Sequence, residues 1–130
     1  MQIVAGIFLI LHGLVHLLYA GQAFRYFELR PGMIWPDASW LFSKLIKKEA
    51  VRWLAAISLA LAALGFVAGG VGLFAQAEAW HPVAVYASIF STVVFALFWD
   101  GKFNALADQG GIGLLIDVIV LAAALSLKWP

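Results

Sequence analysis

The chain has 130 residues, 65% of them hydrophobic and only 12% charged, with a mean hydropathy of +0.98. Soluble domains hold roughly 45–50% apolar and about 25% charged residues, and so small a core cannot hide the excess, which makes lipid the expected solvent. A formal charge of +1 leaves no basic face for nucleic acid, and the absence of cysteine excludes disulfides, thiolate metal sites and thiol redox chemistry.

A membrane-crossing helix needs about 20 mostly apolar residues. Four segments meet this, at 2–23, 52–74, 82–99 and 111–128. Membrane barrels are built instead from strands of about 10 residues with alternating polarity, and no such alternation occurs. The expected fold is therefore all-α: one integral membrane four-helix bundle over residues 1–130.

In the first span no Lys or Arg precedes the apolar run from Ile3 to Leu18, and the run is long for a secretory signal, so a true span is expected. At about 100° per residue, one sector holds Ala5, Gly6, Leu9, His12, Gly13, His16, Tyr19, Ala20 and Ala23. The opposite arc holds Ile3, Val4, Ile7, Phe8, Ile10, Leu11, Leu14, Val15, Leu17 and Leu18, with Gly21 the exception. Small and polar side chains let membrane helices approach closely, so the first sector should face protein and the second lipid. His12 and His16 then point inward one turn apart. Such a pair can ligate one metal ion, relay protons or hold a ligand's polar group; the plainer alternative is that each hydrogen-bonds a neighbouring helix.

The first connection is long. Pro31, Gly32 and Pro36 mark a turn, and Asp37 or Ser39 can cap a following helix. Over 40–52, Leu41, Leu45 and Ile46 share a face while Lys44, Lys47 and Lys48 cluster elsewhere. This reads as a short amphipathic segment at the membrane surface, or as a plain basic anchor.

In the second span, Ser58 shares a face with Ala62, Gly65, Gly69 and Gly72, a small-residue stripe suited to ordinary helix packing. The third opens at His81-Pro82, where proline costs nothing in a first turn, and carries Ser88, Ser91 and Thr92 on one face. The fourth contains Asp117, the one acidic residue well inside a predicted span, on a face with Gly110, Gly113, Val120, Leu121 and Ala124. A carboxylate there needs a partner or a proton. At about 1.5 Å per residue, Asp117 and His16 lie roughly 9 and 10 Å from the same end, so adjacent helices would bring them together.

Lys and Arg set the expected topology. Arg25, Arg30, Lys44, Lys47, Lys48 and Arg52 belong to the first connection, Lys102 to the third and Lys128 alone to the other side. Both termini are expected on the non-cytoplasmic side of a bacterial or archaeal cytoplasmic membrane. Trp35, Trp40, Trp53, Trp80, Trp99 and Trp129 suit an interfacial aromatic belt.

No esterase, zinc-protease, Walker-type or dinucleotide-binding motif is present, and no evident nucleophile, so an independent hydrolase is not expected. The stretch Phe8-Leu9-Ile10-Leu11-His12-Gly13-Leu14-Val15-His16 resembles the first-span signature of the DoxX-like small membrane proteins, a four-span family with a His-Gly pair after an apolar run. It differs in placing His16 where a basic residue, often Lys, follows the Gly by three, and in lacking an early arginine. The resemblance implies an accessory role in a quinone-linked or thiol-related membrane oxidoreductase system.

Two functional expectations follow. The first is a site inside the bundle built from His12, His16 and Asp117, with Tyr19, Ser58, Ser91 and Thr92 around it, binding a metal ion (zinc or iron by donor type), a proton-coupled solute or a quinone-like ligand. The second is a non-catalytic accessory subunit that docks on a membrane-protein partner through 40–52. A homo-oligomer is a further expectation, because four short helices enclose little volume.

Overall fold

The computed structural model describes residues 1–104 and 106–126. Its described residues form four α-helices, α1 (Gln2–Ala23), α2 (Lys48–Phe74), α3 (Trp80–Phe98) and α4 (Gly111–Ser126), with short 3-10 turns at Phe42–Lys44 and Leu106–Gln109. The first span has the expected bounds, the second begins four residues earlier than expected and the third two residues earlier. The expected last residues of the fourth, with Lys128 and Trp129, lie outside the described residues.

Three helices are long and apolar enough to cross a membrane, α1, α2 and α3, with mean hydropathies of 2.2, 2.2 and 1.7 over their best windows. Only 39%, 44% and 39% of those windows is buried inside the protein, so most of this apolar surface faces outward. That arrangement fits a membrane protein, since water would leave it exposed at high cost. The described α4 is apolar but has 16 residues, or about 24 Å of helix against a hydrocarbon core of about 30 Å.

The helices pack in chain order, α1 on α2, α2 on α3 and α3 on α4. Small residues make the close contacts. A Cβ on Gly70 would come within 2.7 Å of the Gly6 carbonyl oxygen, so α1 and α2 touch backbone to backbone. The Gly65, Gly69 and Gly72 stripe of α2 lies against Ala87, Ala84 and Trp80 of α3. It is consumed by packing within the chain, as its composition suggests.

The expected faces of α1 match the burial. Ala5, Gly6, Leu9, His12, Gly13, His16, Ala20 and Ala23 are buried, Tyr19 is half-buried, and the aliphatic arc is exposed apart from the half-buried Ile10. Gly21 and Gln22 are also buried. Gln22 belongs to the folded first connection: its Nε2 donates to the Met33 carbonyl and its Oε1 accepts from Leu29 N.

That connection is a built cap and not a loose loop. Arg25, held at a φ of +63°, donates to the carbonyls of Gln22, Ile34 and Trp35 and lies 3.0 Å from Asp37. Arg52, from the first turn of α2, closes on both Asp37 oxygens at 2.7 and 2.5 Å. Burial alone would raise the Asp37 carboxyl, but the hydrogen bonds and charges of Arg52 and Arg25 outweigh it and hold the group below its ordinary 3.8. Asp37 is therefore an ion-pair partner and not a cap; Ser39 Oγ accepts from Phe42 N, but the residues preceding the 3-10 turn and α2 are Leu41 and Lys47, neither with a side-chain cap bond.

The stretch 40–52 is not one amphipathic helix. A 3-10 turn covers Phe42–Lys44, Lys47 is extended, and α2 starts at Lys48. The start of the stretch is tied to the end of α3, whose last carbonyls lack partners within that helix. Ser39 Oγ donates to Leu97 O, Trp40 Nε1 to Ala96 O and Trp40 N to Trp99 O, and these bonds anchor the segment where it begins. Lys44, Lys47 and Lys48 are exposed.

The first and third connections meet at one end of the bundle, joined also by the Arg30–Asp108 pair at 2.8 Å. At the other end, His81 Nε2 lies 3.0 Å from the Ala124 carbonyl and ties the start of α3 to the last described turns of α4. Two apolar clusters fill the interior. The one beneath the cap contains Trp35, Leu59, Phe95 and Phe98; the one toward the opposite end contains Leu9, Phe66, Ala84, Ala87 and Val120.

Candidate functional site

Between those clusters the bundle holds a chain of four polar side chains. His12 and His16 come from the inward face of α1, Ser91 from α3 and Asp117 from α4. They are 4%, 1%, 0% and 0% exposed. α1 and α4 do not share an extensive backbone interface, so these side chains bridge the seam between them.

Asp117 reaches His12 directly, with Oδ1 2.7 Å from Nε2. Its Oδ2 lies 2.5 Å from Ser91 Oγ, and Ser91 Oγ lies 2.6 Å from His16 Nε2. His16 Nδ1 lies 2.9 Å from the His12 carbonyl one turn back. The carboxylate and His16 thus meet through serine, whereas the depth argument from sequence suggested direct contact. Aromatic rings seal the chain. Phe66 of α2 lies against both imidazoles at 4.7 and 5.1 Å, and Phe95 of α3 lies 5.5 Å from His16.

The donors in this chain can be counted. The His12 carbonyl only accepts, so His16 Nδ1 carries a proton and donates to it. Ser91 has one hydroxyl proton and two close neighbours. If Ser91 donates to Asp117, His16 Nε2 must donate to Ser91, and His16 is an imidazolium. If Ser91 donates to His16, Asp117 must be protonated and donate to Ser91. In both arrangements a neutral His12 donates from Nε2 to Asp117.

The two arrangements contain the same number of protons and no net charge. They differ only by proton shifts along Ser91. Neutrality is what a sealed, low-dielectric site favours, because an uncompensated charge there is costly.

The other expected residues sit apart from this chain. Tyr19 lies nearer the cap, donating to the Ala107 carbonyl at 3.3 Å, with its ring 5.5 Å from Phe95. Thr92 donates to its own helix at Ser88 O and Ser88 to Ala84 O, the usual use of hydroxyls in apolar helices. Ser58 is half-buried on α2 and is not among the cluster's hydrogen-bond partners. Phe66 and Phe95 were not singled out from sequence. Aromatic residues are common in apolar spans, and nothing in their spacing marks them as a seal.

One nitrogen from each histidine and one Asp117 oxygen all lie within 4.8 Å of one another. Ligands on one zinc at about 2.1 Å in tetrahedral geometry lie about 3.4 Å apart, so to hold a metal the wider pairs would close and the His12–Asp117 pair, at 2.7 Å, would open. The contacts of 2.5–2.7 Å are shorter than that spacing and are proton-bearing distances. Comparison with protein families, with characterised proteins and with solved structures finds no match for this chain.

Proposed function

We propose that the chain is a multi-pass membrane protein whose bundle houses a proton-exchange site, His12–Asp117–Ser91–His16, coupled to a small ligand or solute. In this reading all four helices cross the bilayer, both termini lie on the non-cytoplasmic side, and the first and third connections are cytoplasmic. The outward apolar faces of α1 to α3 support insertion, and the concentration of Lys and Arg in the first connection supports the topology.

The observation that carries the proton reading is the donor count around Ser91. The chain closes only with a proton on Asp117 or a second proton on His16, and a single relay through Ser91 interconverts the two. The test is difference infrared spectroscopy on vesicle-reconstituted protein after a pH step. A carboxylic-acid band and an imidazole band should respond together, vanish in Asp117→Asn and become uncoupled in Ser91→Ala. Spectra in which neither band responds to the step would sink the proposal.

A divalent metal is the second reading, favoured by the three convergent donors. Zinc or iron suits two imidazoles and a carboxylate, and binding would displace the shared proton. Elemental analysis of wild type beside His12→Ala/His16→Ala separates the readings: stoichiometric metal lost in the variant establishes the metal site. The DoxX-like stretch Phe8–His16 gives either chemistry a setting, as an accessory component of a membrane oxidoreductase system. Docking through 40–52 has less support, because that segment presents no continuous helical face.

A further inference from the structure

The inner chain leaves one of its polar side-chain atoms without a partner among the described residues. Both Asp117 oxygens, Ser91 Oγ, both nitrogens of His16 and His12 Nε2 are hydrogen-bonded, and His12 Nδ1 is not. Because Nε2 carries the proton given to Asp117, Nδ1 of the neutral ring is a bare acceptor. Buried polar atoms are nearly always satisfied, and His12 is only 4% exposed, so this nitrogen signals a missing donor. It is not walled in. The fully enclosed side-chain atom without a partner among the described residues is the Trp35 indole nitrogen, so His12 Nδ1, equally unpaired, reaches the outer surface.

That surface is the seam between α1 and α4. Gly6 and Gly13 lie against α2, whereas His12 reaches across to Asp117 of α4 and so occupies the other edge of the inward face. Its outward neighbours at helical spacing are Phe8 and Val15, both exposed. Phe8 lies parallel to the imidazole with ring centroids 6.0 Å apart. Side chains do not fill the seam. Toward the cap, a space of about 240 Å³ has Val15, Leu18 and Tyr19 of α1 and Ile112 of α4 among its walls.

These surroundings define the missing partner. It must donate, because Nδ1 only accepts. It must be uncharged, because the chain is already neutral and an apolar rim supplies no counter-ion. It must be largely apolar, because Phe8, Val15 and Ile112 flank its way in. Water suits the place poorly, since a buried water takes about three hydrogen bonds and the cluster offers one unpaired atom.

We infer that the α1–α4 seam binds an apolar alcohol or phenol from the bilayer, its hydroxyl donating to His12 Nδ1. This names the ligand of the proton-exchange site and rests on that reading for its consequence. A bond accepted at Nδ1 makes Nε2–H a better donor to Asp117 Oδ1, which favours the carboxylate with the His16 imidazolium over the protonated acid.

Protein carrying isotope-labelled histidine is reconstituted in vesicles and titrated with para-ethylphenol and with para-ethylanisole, whose methyl replaces the hydroxyl proton. The phenol should bind saturably, shift the nitrogen NMR signal of His12 Nδ1, and bind at least about fivefold tighter than the ether. His12→Phe should abolish both the signal and the preference. Val15→Phe, which narrows the seam and keeps His12, should weaken the phenol at least about fivefold. If His12→Phe fails to fold, the ether and Val15→Phe decide. Equal affinity for phenol and ether, a signal unmoved at saturation, or a preference that survives Val15→Phe overturns the inference. The two readings fail apart: infrared bands that ignore a pH step sink proton exchange, whereas bands that respond in protein with no phenol preference sink the ligand alone.

Discussion

Asp37 and Asp117 are both held by cationic or potentially cationic partners, and they differ in almost everything else. Asp37 sits under the cap between Arg25 and Arg52, whose side chains are 26% and 30% exposed. Asp117 sits inside the bundle with His12, Ser91 and His16, sealed from solvent. Guanidinium groups stay charged at every accessible pH, so the Asp37 cluster is a permanent clamp between connection and helix. The Asp117 cluster instead keeps all its hydrogen bonds in either of two proton arrangements related by shifts along Ser91. A fixed charge suits architecture, and an exchangeable one suits chemistry.

The largest expected effect breaks the inner cluster. Asp117→Ala leaves His12 Nε2 and Ser91 Oγ without their buried partner and should cost about 3–5 kcal/mol in detergent-unfolding assays. Ser91→Ala removes only the bridge between His16 and Asp117 and should cost about 1–3 kcal/mol by the same assay. An unchanged unfolding midpoint for Ser91→Ala would mean that the serine is not holding the chain together.

Asp37→Ala should cost about 1–2 kcal/mol, because its partners are part-exposed and screened. Raising the salt concentration should shrink this loss and leave that of Asp117→Ala unchanged. The Asp37 carboxyl is held below its ordinary value, so its stabilising contribution is fully present above about pH 4 and is lost as pH falls through the lower folded value. Wild type should therefore lose stability at acid pH more steeply than Asp37→Asn, as read by unfolding midpoints across that window. Equal slopes would remove the ion-pair account. The smallest effect sharpens the boundary of the inner cluster: Ser58→Ala should shift stability by no more than about 0.5 kcal/mol. A loss as large as that of Ser91→Ala would place Ser58 in the network after all.

Much of this was legible in the sequence because the relevant signals are local. The excess of apolar residues and its division into long runs dictate helices, since backbone groups deprived of water must bond within their own segment. The 3.6-residue period sorted α1 into a buried small-and-polar face and an exposed aliphatic one, and it put His12 and His16 on the same side. Asp117 stood out because a carboxylate in an apolar run needs a partner. Helical rise alone matched Asp117 to His16, one turn from its direct partner His12.

What only the tertiary structure decided depends on pairs distant along the chain. That Asp117 touches His12 at a separation of 105 residues, that Ser91 and not Ser58 or Thr92 bridges to His16, and that Phe66 and Phe95 close the site all depend on helix rotation and adjacency. No local pattern encodes these. The first connection gives the same lesson in reverse. Its period allowed a helix over 40–52, but the chain makes a short 3-10 turn and an extended Lys47 there, with Ser39 and Trp40 anchored on the carbonyls that end α3. Local periodicity determined which residues turn inward, and packing determined which of them meet, because side-chain chemistry at a site is set by neighbours that arrive from elsewhere in the chain.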